Sequence, residues 1–210
     1  MMVDLVHVTT RDGIRLDGTW GKPSMQRASQ LGVDVVILHH GVGGNFYSPG
    51  MFEQYSDALL EQGCAVLRVN NRGHDPMNRA VVGEDVRQLG AAYECMEDCT
   101  YDWAAWVDFA HAAGCQRIGL WGHSLGATKS IYYMATQRDP RVQCVVAGSP
   151  PRFSYEAQTM MAFQGLPPLL EKLAGAVDNL TFASIPGADH AYTHRRDYVW
   201  GVVRQWLEKV

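Results

Sequence analysis

The sequence has no apolar run approaching the roughly 18 residues that a membrane-spanning helix needs, so no membrane is expected as a partner. It has no excess of basic charge. Its 18 Lys and Arg stand against 22 Asp and Glu, for a net charge of -4, with no basic stripe, and nucleic acid is therefore not expected as a partner either. The first residues, Met1-Met2-Val3-Asp4-Leu5-Val6-His7, lack a positive segment followed by a long apolar core. No signal peptide is read there, and the cytoplasm is the expected location. Cysteine is sparse, five residues in an odd count, and C-x-x-C is absent, which argues against a disulfide framework and a thioredoxin-like redox site. Cys64, Cys115 and Cys144 fall in apolar, strand-like runs and read as reduced core thiols. Cys95 and Cys99 read as four apart on a helix, but no second pair and no histidines at ligand spacing accompany them. Neither a metal nor another cofactor is expected. Repeats, low-complexity tracts and linkers are missing too, so residues 1–210 read as one domain.

What is present is an ordinary globular balance, 47% hydrophobic and 19% charged. Leu5–Thr9 and Ile14–Trp20 alternate apolar and polar around Arg11-Asp12-Gly13, the pattern of an antiparallel hairpin. Val33–His39 is β-branched and apolar on both faces toward its end, as a buried central strand requires. A helix from Pro49 to Gln62, a strand Cys64–Asn70 and a helix from Cys99 to Ala113 follow, with Trp103, Trp106, Val107 and Ala110 at core-facing helical spacing. Gln116–Trp121, Val142–Gly148 and Leu180–Ile185 read as further strands, and Thr193–Val210 as a closing amphipathic helix. Alternating strands and helices predict an α/β fold with a mostly parallel, doubly wound sheet behind the N-terminal hairpin.

The most informative stretch is Gly122-His123-Ser124-Leu125-Gly126, a G-x-S-x-G pattern between a strand and a helix. A serine on such a strained turn is a nucleophile elbow. A serine hydroxyl needs a base, an orienting acid and donors for the oxyanion. His190 follows the last expected strand and precedes the last expected helix, the place for the base; the seven other histidines fit that place less well. His39-His40-Gly41-Val42-Gly43-Gly44-Asn45 ends a central strand, where a backbone N–H can face the oxyanion. Val42 and Leu125 are the expected donors, with Gly41 or Gly43 as alternatives to Val42. Gly41, Gly43 and His123 are placed against substrate. The acid is the open position. Glu156, Glu171 and Asp178 lie between Ser124 and His190, none behind a clear strand, and Asp178 is the one nominated. Asp189 is adjacent to His190, a poor geometry for a side-chain hydrogen bond.

With these motifs the chain resembles the α/β-hydrolase superfamily over nearly its full length. It is most similar to small cytoplasmic serine hydrolases whose third strand ends in the pattern seen at His40-Gly41-Val42-Gly43-Gly44-Asn45-Phe46-Tyr47. The similarity continues through Asn70-Asn71-Arg72-Gly73-His74-Asp75, Gly122 to Ala127, and Gly187-Ala188-Asp189-His190. The resemblance implies esterase-type acyl transfer with Ser124 and His190 in the family's roles. The departure lies between Phe153 and Gly175, which is short for a lid and for the strand that usually carries the acid. Two readings follow: a serine hydrolase acting on a small carboxylic ester or thioester, and a non-catalytic hydrolase-fold protein that binds a small acyl ligand. Little or no lid predicts an open site and short acyl substrates. Phe46, Tyr47, Met160, Met161 and Phe163 are candidates for an acyl pocket, and His74 and Asp75 for substrate contact. A missing strand would leave a sheet edge that a homodimer could cover.

Overall fold

The computed structural model describes residues 3–23, 28–151 and 180–210. In chain order these form β1 (Asp4–Thr9), β2 (Arg15–Gly21), β3 (Val35–His39), α1 (Met51–Glu61), β4 (Ala65–Val69), β5 (Asn78–Val82), β6 (Asp85–Leu89), α2 (Cys99–Ala112), β7 (Ile118–His123), α3 (Leu125–Gln137), β8 (Val142–Gly148) and α4 (Arg196–Leu207). Six strands make one sheet in the order β1-β2-β4-β3-β7-β8. The pairs β3–β4, β3–β7 and β7–β8 are parallel, and the β1–β2 hairpin joins antiparallel through β2–β4.

The strand period of two sorts side chains to the two sheet faces. From β3, Val35 and Ile37 enter one core with Trp103, Trp106 and Val107 of α2 and Tyr133 of α3. Val36 and Leu38 enter the other with Tyr55 and Leu59 of α1 and Val199, Val203 and Leu207 of α4. Helices therefore cover both faces, which is why β3 is apolar on both sides and wholly buried. In α2 the buried residues Cys99, Asp102, Trp103, Trp106, Val107 and Ala110 follow the three-four spacing of a single helical face.

The structure corrects three expectations and adds one unforeseen element. Leu180–Ile185 alternates like a strand but forms no ladder among the described residues, and most of it is exposed. With no pairing strand among the described residues, alternation alone does not make a strand. Conversely, Asn78–Val82 and Asp85–Leu89 pair as an antiparallel hairpin that its sequence hid. Cys95 lies in the loop before α2, exposed, so it does not share a helix with Cys99. The last helix begins at Arg196, leaving His194 in the preceding turns. Cys64, Cys115 and Cys144 are free and buried, as expected, and burial pushes the Cys64 and Cys144 thiols up to about 12. No described helix is long and apolar enough to cross a membrane. The short-lid expectation, Met160, Met161, Phe163, Glu156, Glu171 and Asp178 all lie outside the described residues.

Candidate active site

Ser124 stands between β7 and α3 with φ 55° and ψ -125°, a backbone conformation that L-residues rarely adopt. Its N–H donates to the Gly148 carbonyl at the end of β8 (2.9 Å), which ties the turn to the neighbouring strand. The glycines around it are required by close approach. A Cβ at Gly122 would fall on the Gly126 carbonyl, and one at Gly126 would lie 2.5 Å from the His39 carbonyl oxygen. The first turn of α3 thus rests on the end of β3, and the serine projects at the carboxyl ends of the parallel strands.

The loop after β3 meets this elbow. A Cβ on Gly41 would come within 2.9 Å of Ser124 Cβ and 3.4 Å of its Oγ. Among the described residues, the N–H groups of Gly41, Val42 and Gly43 in this loop, and of Leu125 and Gly126 at the elbow, have no acceptor, so Val42 is not set apart from Gly41 and Gly43 by this measure. Leu125 is the first residue of α3, where N–H groups lack intrahelical partners and the helix dipole is positive. The loop that meets Ser124 and the helix start that follows it therefore both carry free N–H donors.

His190 lies in the exposed turns before α4. His123 reaches it from the elbow. His123 Nε2 is 2.7 Å from the His190 carbonyl oxygen and the two rings are 4.8 Å apart. A carbonyl only accepts, so His123 carries its proton on Nε2. Burial holds the His123 ring below the usual histidine range. Its contact is to the backbone of the His190 turn, which gives the residue a structural place beside the site. Asp189 turns away from His190, its Oδ1 accepting the Thr193 N–H at 2.8 Å. Among the described residues no carboxylate hydrogen-bonds the His190 ring, and none accepts a hydrogen bond from Ser124 Oγ. Nearby, Ser149 Oγ donates to the Tyr192 hydroxyl (2.7 Å), and both residues have positive φ, 45° and 54°.

The Asn70–Asp75 segment braces the Gly41–Asn45 loop. Asp75 accepts Asn45 Nδ2 (2.7 Å), the Tyr47 hydroxyl and His74 Nδ1 (2.8 Å), while its N–H donates to the Gly44 carbonyl (3.0 Å). Burial alone would raise the Asp75 carboxyl. The bonds from Tyr47, Asn45 and His74 outweigh it and hold the group below the usual range. His74 and Asp75 are candidates for substrate contact by their sequence position; in the structure Asp75 has a bracing set of bonds to the loop. The buried charges were not expected from the sequence. Arg72 is clamped by Asp102 (2.9 Å) and Asp12 (2.9 Å), and Lys129 pairs with Glu94 (2.7 Å) under the loop. The helical period alone, with Lys129 one turn behind the buried Leu125 and Gly126, could have flagged it as inward-facing. Among the described residues no three His, Cys, Asp or Glu side chains converge as metal ligands.

Comparison with known proteins agrees with this architecture. Residues 34–199 match the family described as α/β hydrolase fold. No curated protein matches the chain. Among solved structures, the esterase Pf2001 of Pyrococcus furiosus is similar at 24% identity and a TM-score of 0.56, covering 86% of this chain and 64% of its own. The chain thus spans less than two thirds of that esterase. Est1E of Butyrivibrio proteoclasticus, solved with ferulic acid bound, is similar at 18% identity and a TM-score of 0.72, covering 96% and 98%. XC6422 of Xanthomonas campestris, described as an α/β serine hydrolase without a lid, is similar at 16% identity and a TM-score of 0.63, covering 99% and 96%. At these identities the likeness to each is one of fold. With the family match spanning most of its length, the chain belongs to the α/β hydrolase fold family.

Proposed function

We propose that the protein is a serine hydrolase that cleaves a small carboxylic ester or thioester. The observation that carries this reading is Ser124 itself, held at φ 55° on a turn where the described residues leave N–H groups unpaired both in the facing Gly41–Gly43 loop and at the start of the following helix. Ser124 Oγ attacks the substrate carbonyl and passes its proton to His190. The Val42 and Leu125 amides hold the oxyanion of the tetrahedral intermediate. His190 then protonates the departing alcohol or thiol, and a water activated by the same ring releases the acid from Ser124. Asp178 is the proposed orienting acid. The esterase names of Pf2001 and Est1E, the ferulic acid in Est1E and the lidless description of XC6422 support testing short, open-site esters first.

The test is hydrolysis of p-nitrophenyl acetate and butyrate by the wild type and by Ser124→Ala, His190→Ala and Asp178→Asn. The first two variants are expected to lose turnover by about 10³-fold or more. Asp178→Asn is expected to lose about 10⁴-fold if Asp178 completes a triad, and little if His190 works without it. Folded wild-type protein that neither hydrolyses these esters nor reacts with a fluorophosphonate probe would sink the enzyme reading in favour of a hydrolase fold kept for binding. A clear preference for long acyl chains would contradict the open site.

A further inference from the structure

Beneath the Gly41–Asn45 loop runs a chain of buried polar groups that the ester chemistry does not use. Lys129, five residues into the chain beyond Ser124, has a side chain only 3% exposed, and its partner Glu94 is 9% exposed. The Lys129 ammonium lies 2.7 Å from both carboxylate oxygens and donates its hydrogen bond to Oε2. It also donates to Asn71 Oδ1 at 3.1 Å. Asn71 Nδ2 is 3.2 Å from His40 Nε2, and His40 Nδ1 is 2.7 Å from the Gly41 carbonyl oxygen. These contacts admit one set of proton positions. The Gly41 carbonyl can only accept, so His40 Nδ1 carries the proton and Nε2 is a bare acceptor. Asn71 must then turn its amide N–H₂ to His40 and its oxygen to Lys129. That oxygen also accepts the Gly73 N–H at 2.6 Å. Gly73 has a part in this arrangement, because a Cβ there would occupy the position of the Glu94 carboxylate. Burial, partly opposed by the Gly41 bond, lowers the His40 ring to about 3, which keeps it neutral and its Nε2 able to accept.

The far end of this chain is a peptide plane. The Gly41 carbonyl and the Val42 N–H belong to the same peptide, and no described peptide is cis. Gripping the carbonyl therefore fixes the direction in which the Val42 N–H points. A buried ion pair is a poor source of stability, since its desolvation offsets its attraction, and an apolar replacement of both partners is often no worse. The pair is better accounted for by what it holds.

We infer that the buried Lys129–Glu94 ion pair is a positioning device for the oxyanion donor, acting through Asn71 and His40 to set the orientation of the Gly41–Val42 peptide against Ser124. The inference rests on the assignment of Ser124 and Val42 above. Lys129 and Glu94 are positioning residues, and neither touches substrate.

The test uses Lys129→Met, Lys129→Arg and the double variant Glu94→Gln/Lys129→Met. The single Met variant leaves Glu94 buried without its cation and is expected to unfold more easily. The double variant removes both charges and is expected to keep a thermal midpoint near the wild type. In the double variant the Val42 amide ¹⁵N–¹H signal is expected to shift and broaden. With p-nitrophenyl acetate its kcat is expected to fall about ten- to hundredfold, less than the loss of a whole oxyanion donor, while KM changes less than twofold. Affinity for a trifluoromethyl ketone, which forms a tetrahedral adduct on serine, is expected to fall by the same factor as kcat. Lys129→Arg is expected to restore part of both readouts. An unchanged Val42 signal in the folded double variant overturns the inference whatever the turnover does, and so does a wild-type kcat in that variant. If the wild type has no Ser124-dependent activity, the enzyme reading fails by itself, and the Val42 signal still decides whether the ion pair sets the peptide.

Discussion

A serine held at φ 55° carries a conformational cost of about 1–3 kcal/mol, and the elbow must recover that from its surroundings. The recovery is visible in the bond from Ser124 N–H to Gly148 and in the seating of Gly126 on the β3 carbonyls. Glycine adopts this conformation without the penalty. Ser124→Gly is therefore expected to be more stable than Ser124→Ala by about 1 kcal/mol in urea unfolding, although neither variant should turn over ester. Equal stability of the two would mean that the turn holds no such strain. Among the described residues, four of the five positive-φ residues other than glycine, Asp75, Ser124, Ser149 and Tyr192, gather at the elbow or on the loops and strand end around it. The site was legible at this scale wherever its chemistry is local. Gly122-His123-Ser124-Leu125-Gly126 and the glycines after His40 announce themselves because a tight turn leaves few residues that fit. Lys129 and Glu94 did not, because a lysine on a helix and a glutamate in a loop look solvated until the fold closes over them.

At the scale of elements, α2 and the α3–β8 crossing hold the site in place. Trp106 is fully buried and donates its Nε1–H to the Asn70 carbonyl at 3.0 Å, so one side chain both fills the core and fixes the start of the Asn70–Asp75 segment. Trp106→Ala is expected to cost about 3–5 kcal/mol in chemical denaturation. A loss under 1 kcal/mol would mean that the core collapses around the gap. Between α3 and β8, Asp139 accepts two hydrogen bonds from the Arg141 side chain (2.9 and 2.7 Å) and one from the Tyr133 hydroxyl (2.6 Å). The Arg141 bonds, opposed by burial and aided by Tyr133, take the Asp139 carboxyl from 3.8 to about 2. A carboxyl depressed in the folded state stabilises the fold fully above pH 3.8 and loses that contribution as pH falls through about 2. The stability gap between wild type and Asp139→Asn should therefore be constant above pH 5 and shrink between pH 4 and pH 2; a gap that ignores pH would refute the assignment. Element patterns in the sequence were readable where periodicity and burial agree, as in β3 and α2. They failed at Leu180–Ile185, where alternation finds no strand to pair with among the described residues. They failed also at the β5–β6 hairpin, where Val81 and Val86 are exposed while Ala80 and Val82 pack inward, so apolar residues on both faces blur the period of two.

At the scale of the whole molecule, Arg72 joins parts of the chain that are far apart in sequence. Its guanidinium binds Asp12 in the β1–β2 turn and Asp102 on α2, and its own N–H donates to Asp102 at 2.9 Å. Hairpin, β4 exit and α2 are thereby fastened at one point just behind the Asn71–Lys129 chain. The central strand has a similar reach. Val35 of β3 pairs with Ala65 on one side and with Ile118 on the other. That second pairing is the one that brings Gly41 against Ser124, and it spans the long stretch of chain that holds β4, the β5–β6 hairpin and α2. Pairings this distant in sequence are slow to form, because loop closure precedes any return from contact. Refolding from denaturant should accordingly run in two stages, helical circular dichroism first and protection of the Ile118–Gly122 amides afterwards. The competence of the serine would then be the last property the chain acquires on folding and, as the same pairing opens, the first it loses.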